Sequence, residues 1–440
     1  MKSSKYNFIT TYPATREKLL FNTLTTAFIA LSTDAYVKVS AVLTDPMGGH
    51  DSSLVNYLHK NGFLVDVNKD EFQIVQDRSA LGIHDNNRVD LIVMPNMNCN
   101  FACTYCYEEH TKSSMSDETA RRLKIWLEHM APRFKAVLLS WFGGEPMLSY
   151  KRIVEIQSHA HRLTKDHGTE LISHMTTNGY ALLPEKAKTL TSLGLHSFQI
   201  TLDGPAETHN LNRPLKKGGA SFDRIFSNIC SLARTDPRVN IKLRVNYDCR
   251  NIDRVPELLE SIPQDIRSQI DLVLERIFGE NYGNYSNESM NIEQAKAEHI
   301  YALGLSMGYT STTPQLVPDK LTYCYADRKN QFLVNYNGDI YKCTVGNFDS
   351  SRRMGWLNEQ GTISWEGDGE RVNAWHATPA FEEKCSLCIY APMCLGGCRK
   401  MRHYTGSVGD DCTIHFLGLD ERLHNYYTAK RNGIDIAKPQ

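Results

Sequence analysis

Between residues 89 and 277 the chain repeats one pattern: a short apolar run, a turn, then a stretch whose apolar positions recur every three or four residues. Strands are predicted at 89–95, 136–142, 170–176, 197–202, 239–247 and 270–277, with helices near 117–131, 150–166, 184–193, 221–234 and 255–268. Strands alternating with helices in this way predict an α/β fold, a parallel sheet with crossover helices. In a sheet curled into a partial barrel, the chemistry belongs at the C-terminal ends of the strands.

The pattern differs on either side. Alternating or apolar stretches at 6–11, 18–22 and 27–31 read as a small antiparallel sheet. Ser32-Thr33-Asp34 offers an N-cap for a helix to about Leu43, a second helix spans Asp51 to Gly62, and Phe63 to Val67 reads as a returning strand. Residues 68–88 are polar, a linker or a last polar helix. After the sixth barrel strand come a Gly, Asn and Tyr-rich loop at 279–288, expected over the barrel mouth, and a helix from Ile292 to Met307. Phe332 to Lys342 carries Asn337-Gly338 between apolar runs, a hairpin signal. The expected division is 1–85, 86–310 and 311–440, in keeping with a length of 440 residues, too long for one core.

Charge adds little direction. Lys plus Arg number 49 against 50 Asp plus Glu, so nothing advertises nucleic acid or an anionic membrane as a partner. No apolar run reaches about 18 residues and the start, Met-Lys-Ser-Ser-Lys-Tyr, shows no signal-peptide pattern, so a cytoplasmic protein is expected. In a reducing compartment the twelve cysteines favour metal binding over disulfides. Cys230 and Cys249 read as ordinary small residues, and the other ten fall into motifs.

Cys99, Cys103 and Cys106 follow the first barrel strand as CxxxCxxC, with Tyr105 before the last of them. A structural zinc site wants four protein ligands, whereas three thiolates on a 4Fe-4S cluster leave one iron open. The next strand runs into Gly143-Gly144-Glu145-Pro146, the third into Thr176-Thr177-Asn178-Gly179 and the fourth into Thr201-Leu202-Asp203-Gly204. Arg244 and Asn246 share one face of the fifth. These motifs resemble those of the radical S-adenosylmethionine (SAM) enzymes. The resemblance implies that Cys99, Cys103 and Cys106 hold the SAM-binding cluster and that Gly143, Gly144, Glu145 and Pro146 approach the SAM amino group. It places Thr177, Asn178 and Asp203 around the SAM carboxylate, its ribose and the substrate. Tyr105 would pack on the adenine, and Arg244 would meet a carboxylate of SAM or substrate, or form a structural ion pair.

Cys324 and Cys343, then Cys385-x2-Cys388-x5-Cys394-x3-Cys398 and Cys412, resemble the seven-cysteine SPASM extension of radical SAM enzymes that modify peptides and proteins. Paired zinc knuckles are the plainer reading. The resemblance implies two auxiliary clusters of the 4Fe-4S type, three iron-sulfur clusters in all. Cys385, Cys388, Cys394 and Cys412 would hold the distal one and Cys324, Cys343 and Cys398 the nearer. The eighth cysteine of fully ligated relatives is absent after Cys324, which leaves Asp327 or substrate to fill the place. Thr344 stands where sulfatase-maturing relatives carry Asp.

The N-terminal segment resembles the winged-helix-like element that holds a substrate leader by adding it as a strand. Residues 51–62 carry one Lys, one His and one Asp, which disfavours DNA reading by that helix. The resemblance thus implies an enzyme that abstracts hydrogen from an unactivated carbon of a ribosomally made precursor peptide, forming a thioether or carbon-carbon crosslink. It would use SAM, the three clusters and an electron donor such as flavodoxin or ferredoxin, with neither nucleic acid nor membrane as partner. Sulfatase maturation to formylglycine and an iron-sulfur redox sensor on DNA are the rivals.

Overall fold

A computed structural model describes residues 1–277, 287–310, 321–409 and 418–432. The chain divides into two compact units, one of Met1–His84, Pro314–Asp327 and Thr378–Gln440, the other of Asp85–Thr313 and Arg328–Ala377.

The first unit begins with β1 (Lys2–Ser3), β2 (Asn7–Thr11), β3 (Lys18–Asn22) and β4 (Phe28–Leu31). Strands β2, β3 and β4 form an antiparallel sheet with β3 central. Helices α1 (Thr33–Thr44) and α2 (Ser52–Lys60) start at Ser32 and Asp51, whose side chains accept from backbone N–H groups of the first turn. Strand β5 (Leu64–Val65) pairs with β1. The polar stretch resolves as helix α3 (Glu71–Ile83), capped by Asp70. Leu20, Leu31, Val39, Val42, Leu58 and Phe63 make one small core on one face of the sheet.

The second unit runs β6 (Arg88–Val93), α4 (Asp117–Met130), β7 (Ala136–Trp141), α5 (Tyr150–His167), β8 (Glu170–Thr177), α6 (Pro184–Ser192) and β9 (Leu195–Thr201). It continues with α7 (Ala206–Asn212), α8 (Phe222–Thr235), β10 (Asn240–Tyr247), α9 (Val255–Ser261), β11 (Ile270–Arg276) and α10 (Asn287–Ser306). The helix expected over 255–268 is shorter: Pro263 lacks an N–H and holds Ile262 extended, so a separate 3-10 turn, Gln264–Gln269, follows. The expected loop at 279–288 lies mostly outside the described residues.

Strands β12 (Gln331–Val334), β13 (Asp339–Tyr341), β14 (Gly355–Leu357) and β15 (Ile363–Trp365) follow, then helix α11 (Glu370–Ala377). The predicted hairpin is β12-β13, and Gly338 adopts the positive φ of 89° that its turn requires. All ten strands of this unit share one sheet, ordered β11-β10-β9-β8-β7-β6-β12-β13-β14-β15. β6 to β11 are parallel, and β12 joins parallel to β6.

Alternation sorts the sheet's two faces. Leu91, Val93, Val137, Leu139, Trp141, Phe198, Ile200, Leu243 and Val245 are buried in the main core with residues of α4, α5, α6 and α8. The alternate positions Ser140, His174, Gln199, Lys242 and Arg244 are part-exposed and polar. The fold is thus mixed α/β, a parallel sheet with crossover helices extended by an antiparallel arm. The remaining helices, α12 (Ala391–Cys394), α13 (Arg399–Thr405) and α14 (Leu419–Arg431), belong to the first unit. There Leu19 and Phe21, on the other face of β3, pack with Met393, Leu419 and Leu423. Among the described residues no helix is long and apolar enough to cross a membrane.

Candidate active site

The C-terminal ends of β6 to β10 converge through side chains that bond to one another's loops. Glu145 after β7 is fully buried. Its carboxylate accepts from Thr177 Oγ1 at 2.7 Å, Asn178 N at 2.6 Å and Met147 N at 2.8 Å, which staples the loop after β8 to the loop after β7. Burial pushes this carboxyl up, and its donors and the charge of Arg213 hold it down. Asn178 Nδ2 donates to Asn100 Oδ1 at 2.8 Å, and Glu145 N to Asn98 O at 2.8 Å, so both loops grip the cysteine segment.

The glycines are required by the protein itself. Gly143 has a φ of 120° and a Cβ there would strike the carbonyl of Asn96; at Gly144 it would lie 2.5 Å from Asn98 O. Whatever approaches them from outside, these residues let the cysteine loop close over the end of β7. Gly144→Ala is expected to displace that loop and lower SAM cleavage at least tenfold, measured as 5′-deoxyadenosine release, with unit folding retained by circular dichroism.

Tyr105 and Asp203 form a second node. The Tyr105 hydroxyl donates to Asp203 Oδ2 and accepts from Arg213 NH1 at 2.8 Å and Asn246 Nδ2 at 3.0 Å. Asp203 is fully buried and also accepts from Asn246 N at 2.9 Å, while Asn251 donates to its carbonyl at 3.0 Å. Asp203 N donates to His209 Nδ1 at 3.3 Å, and burial with the nearby Arg213 charge keeps His209 neutral. Tyr105, expected on the adenine, has its hydroxyl committed to this network. Arg244 is half-buried and donates to Asn246 Oδ1 at 2.8 Å. Thr177 and Glu145 face each other, and Pro146 opens a buried 3-10 turn.

Sequence reasoning missed the segment Asn212 to Lys216, which lies antiparallel to the cysteine loop. Ala102 N donates to Pro214 O at 2.9 Å, Thr104 N to Asn212 O at 3.0 Å and Lys216 N to Asn100 O at 2.9 Å. From it Arg213 reaches Tyr105 and packs over the Phe101 ring at 5.6 Å. An arginine followed by proline just after the Asp203 turn was the available signal.

Cys99 is buried, Cys103 half-buried and Cys106 exposed. Burial pushes the Cys99 thiol up to about 12 and raises Cys103, where Arg213 offsets part of the effect. Glu108 beyond them is raised to about 8 by burial and by Glu145. Among the described residues no three Cys, His, Asp or Glu side chains converge on one ion, and a cubane does not ask for that, since each cysteine binds a different iron. Soft thiols on a loop held by Asn98, Asn100 and Ala102, beside glycines without side chains, fit such a cluster.

In the first unit, Cys324, Cys385, Cys388, Cys394 and Cys398 lie among buried charges. Asp327 Oδ1 accepts from Arg399 Nε at 2.9 Å, with Arg402 at 3.9 Å, and Asp327 Oδ2 accepts from Cys324 N at 3.0 Å. Asp327, expected as a possible iron ligand, has both oxygens engaged by the protein. Cys343 follows β13 in the second unit, and Cys412 lies outside the described residues.

The chain matches the Radical SAM superfamily over residues 93–236. It is 30% identical over 374 residues to the serine-type anaerobic sulfatase-maturating enzyme of Bacteroides thetaiotaomicron, covering 75% of this chain and 85% of that one. With the cysteine-type enzyme of Clostridium perfringens it shares 22% over 346 residues, 71% of this chain and 90% of that one. The structure of native anSMEcpe with bound AdoMet superposes with a TM-score of 0.58 at 18% identity, covering 78% of this chain and 98% of the other. Streptococcus suis SuiB bound to precursor peptide SuiA gives 0.50 at 14% identity, over 90% and 95%. A cysteine loop gripped by the strand ends of a parallel barrel and a cysteine-rich tail, with this likeness across most of the chain, make it a radical SAM enzyme of the SPASM-containing family.

Proposed function

We propose that the enzyme oxidises an unactivated carbon in a peptide, with a ribosomally made precursor as substrate and a thioether or carbon-carbon crosslink as product. The observation that carries the peptide reading is β4. Among the described residues it pairs only with β3, and since Asn22 N donates to Ala27 O, the alternation turns the backbone groups of Phe28 and Ala30 away from β3. An extended leader could add there as a fourth strand. Solved relatives of the same fold hold peptides, SuiA in SuiB and Cp18Cys in anSMEcpe.

The family's 4Fe-4S cluster and SAM supply the radical that removes the hydrogen atom. Cys99, Cys103 and Cys106 would hold that cluster, on the loop fixed by Glu145 and Asn178. The substrate carbon loses one hydrogen atom and one electron, the attacking thiol or carbon loses a proton, and the new bond forms. The tail cysteines would hold auxiliary clusters able to accept that electron, and a flavodoxin or ferredoxin would be the donor of the one that SAM cleavage consumes.

Anaerobic coexpression with a short peptide encoded beside the gene tests this by mass spectrometry. The expected product lacks two hydrogens, with fragmentation interrupted between the joined residues. Sulfatase maturation is the second reading, favoured by the 30% identity across 85% of the Bacteroides enzyme. An aldehyde on a sulfatase-derived Ser or Cys peptide, captured by a hydrazide and absent without SAM, would decide for it. Ala30→Pro removes an outward N–H from an edge strand that tolerates proline. It is expected to weaken precursor binding about tenfold or more, equivalent to about 1.4 kcal/mol, while 5′-deoxyadenosine release without peptide is unchanged.

A further inference from the structure

Tyr6, between β1 and β2, is fully buried with Val75, Ala391 and Leu395, and Cys388 packs against the same cluster. Its hydroxyl has no hydrogen-bond partner among the described residues. Folded proteins rarely leave a buried phenol in that condition. Its neighbour Lys5 and its partner Thr23 are clasped to the turn that carries the two cysteines. Lys5 Nζ donates to Ser386 O at 3.0 Å, Thr23 Oγ1 donates to Ile389 O at 2.6 Å, and Thr23 N donates to Tyr6 O at 3.0 Å. The turn is closed by Cys388 N donating to Cys385 O at 3.2 Å.

We propose that the Tyr6 hydroxyl donates a hydrogen bond to sulfur of the auxiliary cluster held by Cys385 and Cys388, so that the N-terminal segment helps to set that cluster's potential. The inference rests on the reading that these cysteines hold a cluster. A donor aimed at cluster sulfur stabilises the reduced, more negative state, and its removal lowers the potential. The segment expected to meet a leader would then also tune an electron acceptor, without any contact of its own with the reacting carbon. Tyr6 is therefore a positioning residue for charge and takes no part in bond making.

The test uses the full chain with Cys99, Cys103 and Cys106 replaced by Ala, reconstituted anaerobically so that only auxiliary clusters contribute. Tyr6→Phe keeps the ring and removes the hydroxyl. The expected result is unchanged iron and sulfide content, a lower potential for one auxiliary cluster in a spin-resonance redox titration, and loss of one exchangeable-proton coupling to it. Unchanged potential and coupling would overturn the proposal, and so would loss of iron on Tyr6→Phe, which would make Tyr6 a packing support. Absence of auxiliary iron while Tyr6 is still present would instead overturn the cluster assignment on which the proposal stands.

Discussion

Replacing Cys99, Cys103 and Cys106 together by Ala is expected to reduce 5′-deoxyadenosine formation to background while leaving the iron bound by the tail. On the proposed assignment, loss of the thiolates would remove both the cluster and the open iron for SAM, so no partial activity should survive. The loop itself should persist, because its backbone is held by Asn212, Pro214 and Lys216 rather than by the thiols. That separation makes the result informative: loss of activity with a native circular dichroism spectrum reports the cluster, not the fold. SAM cleavage persisting in the triple variant would show that these cysteines are not the ligands.

Asp327→Ala should be the most damaging single change in the tail. It leaves the guanidiniums of Arg399 and Arg402 buried without their carboxylate, their side chains being 2% and 3% exposed. Removing one partner of a buried pair costs roughly 3–5 kcal/mol. The unfolding midpoint should fall and auxiliary iron should be lost with it. Asp327→Leu combined with Arg399→Met removes the charge pair together and should recover much of the stability. If the double variant also recovers the auxiliary spectrum, Asp327 acts through Arg399 and does not bind iron. A recovered fold with an altered spectrum would restore Asp327 as a ligand.

The barrel was legible because each of its strands is a local apolar run and each helix a local period. Five of the predicted strands end within one residue of the observed ends, and the first overran its strand by two. The 255–268 helix failed at Pro263, a signal that was present and underweighted. The addition of β12 beside β6 was not legible, since no periodicity records which strand a distant hairpin joins. At the site, residue type pointed to positions that the structure brings together, but not to their partners. Glu145, Tyr105 and Asp203 were each matched to a bound molecule, and the structure shows the protein itself using their oxygens. Arg213 escaped notice because its role depends on Phe101 and Tyr105, more than a hundred residues earlier in the chain.

The pairing of segments far apart in the chain constrains how the protein is made. Leu19 and Phe21 leave the ribosome well before their partners Met393, Leu419 and Leu423. At roughly 5–20 residues per second the nascent sheet waits on the order of half a minute with that face uncovered. Strand β6 likewise waits for β12, with an open edge that invites pairing with another chain. Neither unit can close until its later segments have been made, so any cluster held there would be loaded only after them. Yields of soluble holoprotein should accordingly depend on chaperone supply during synthesis more than on the amount of metal in the medium.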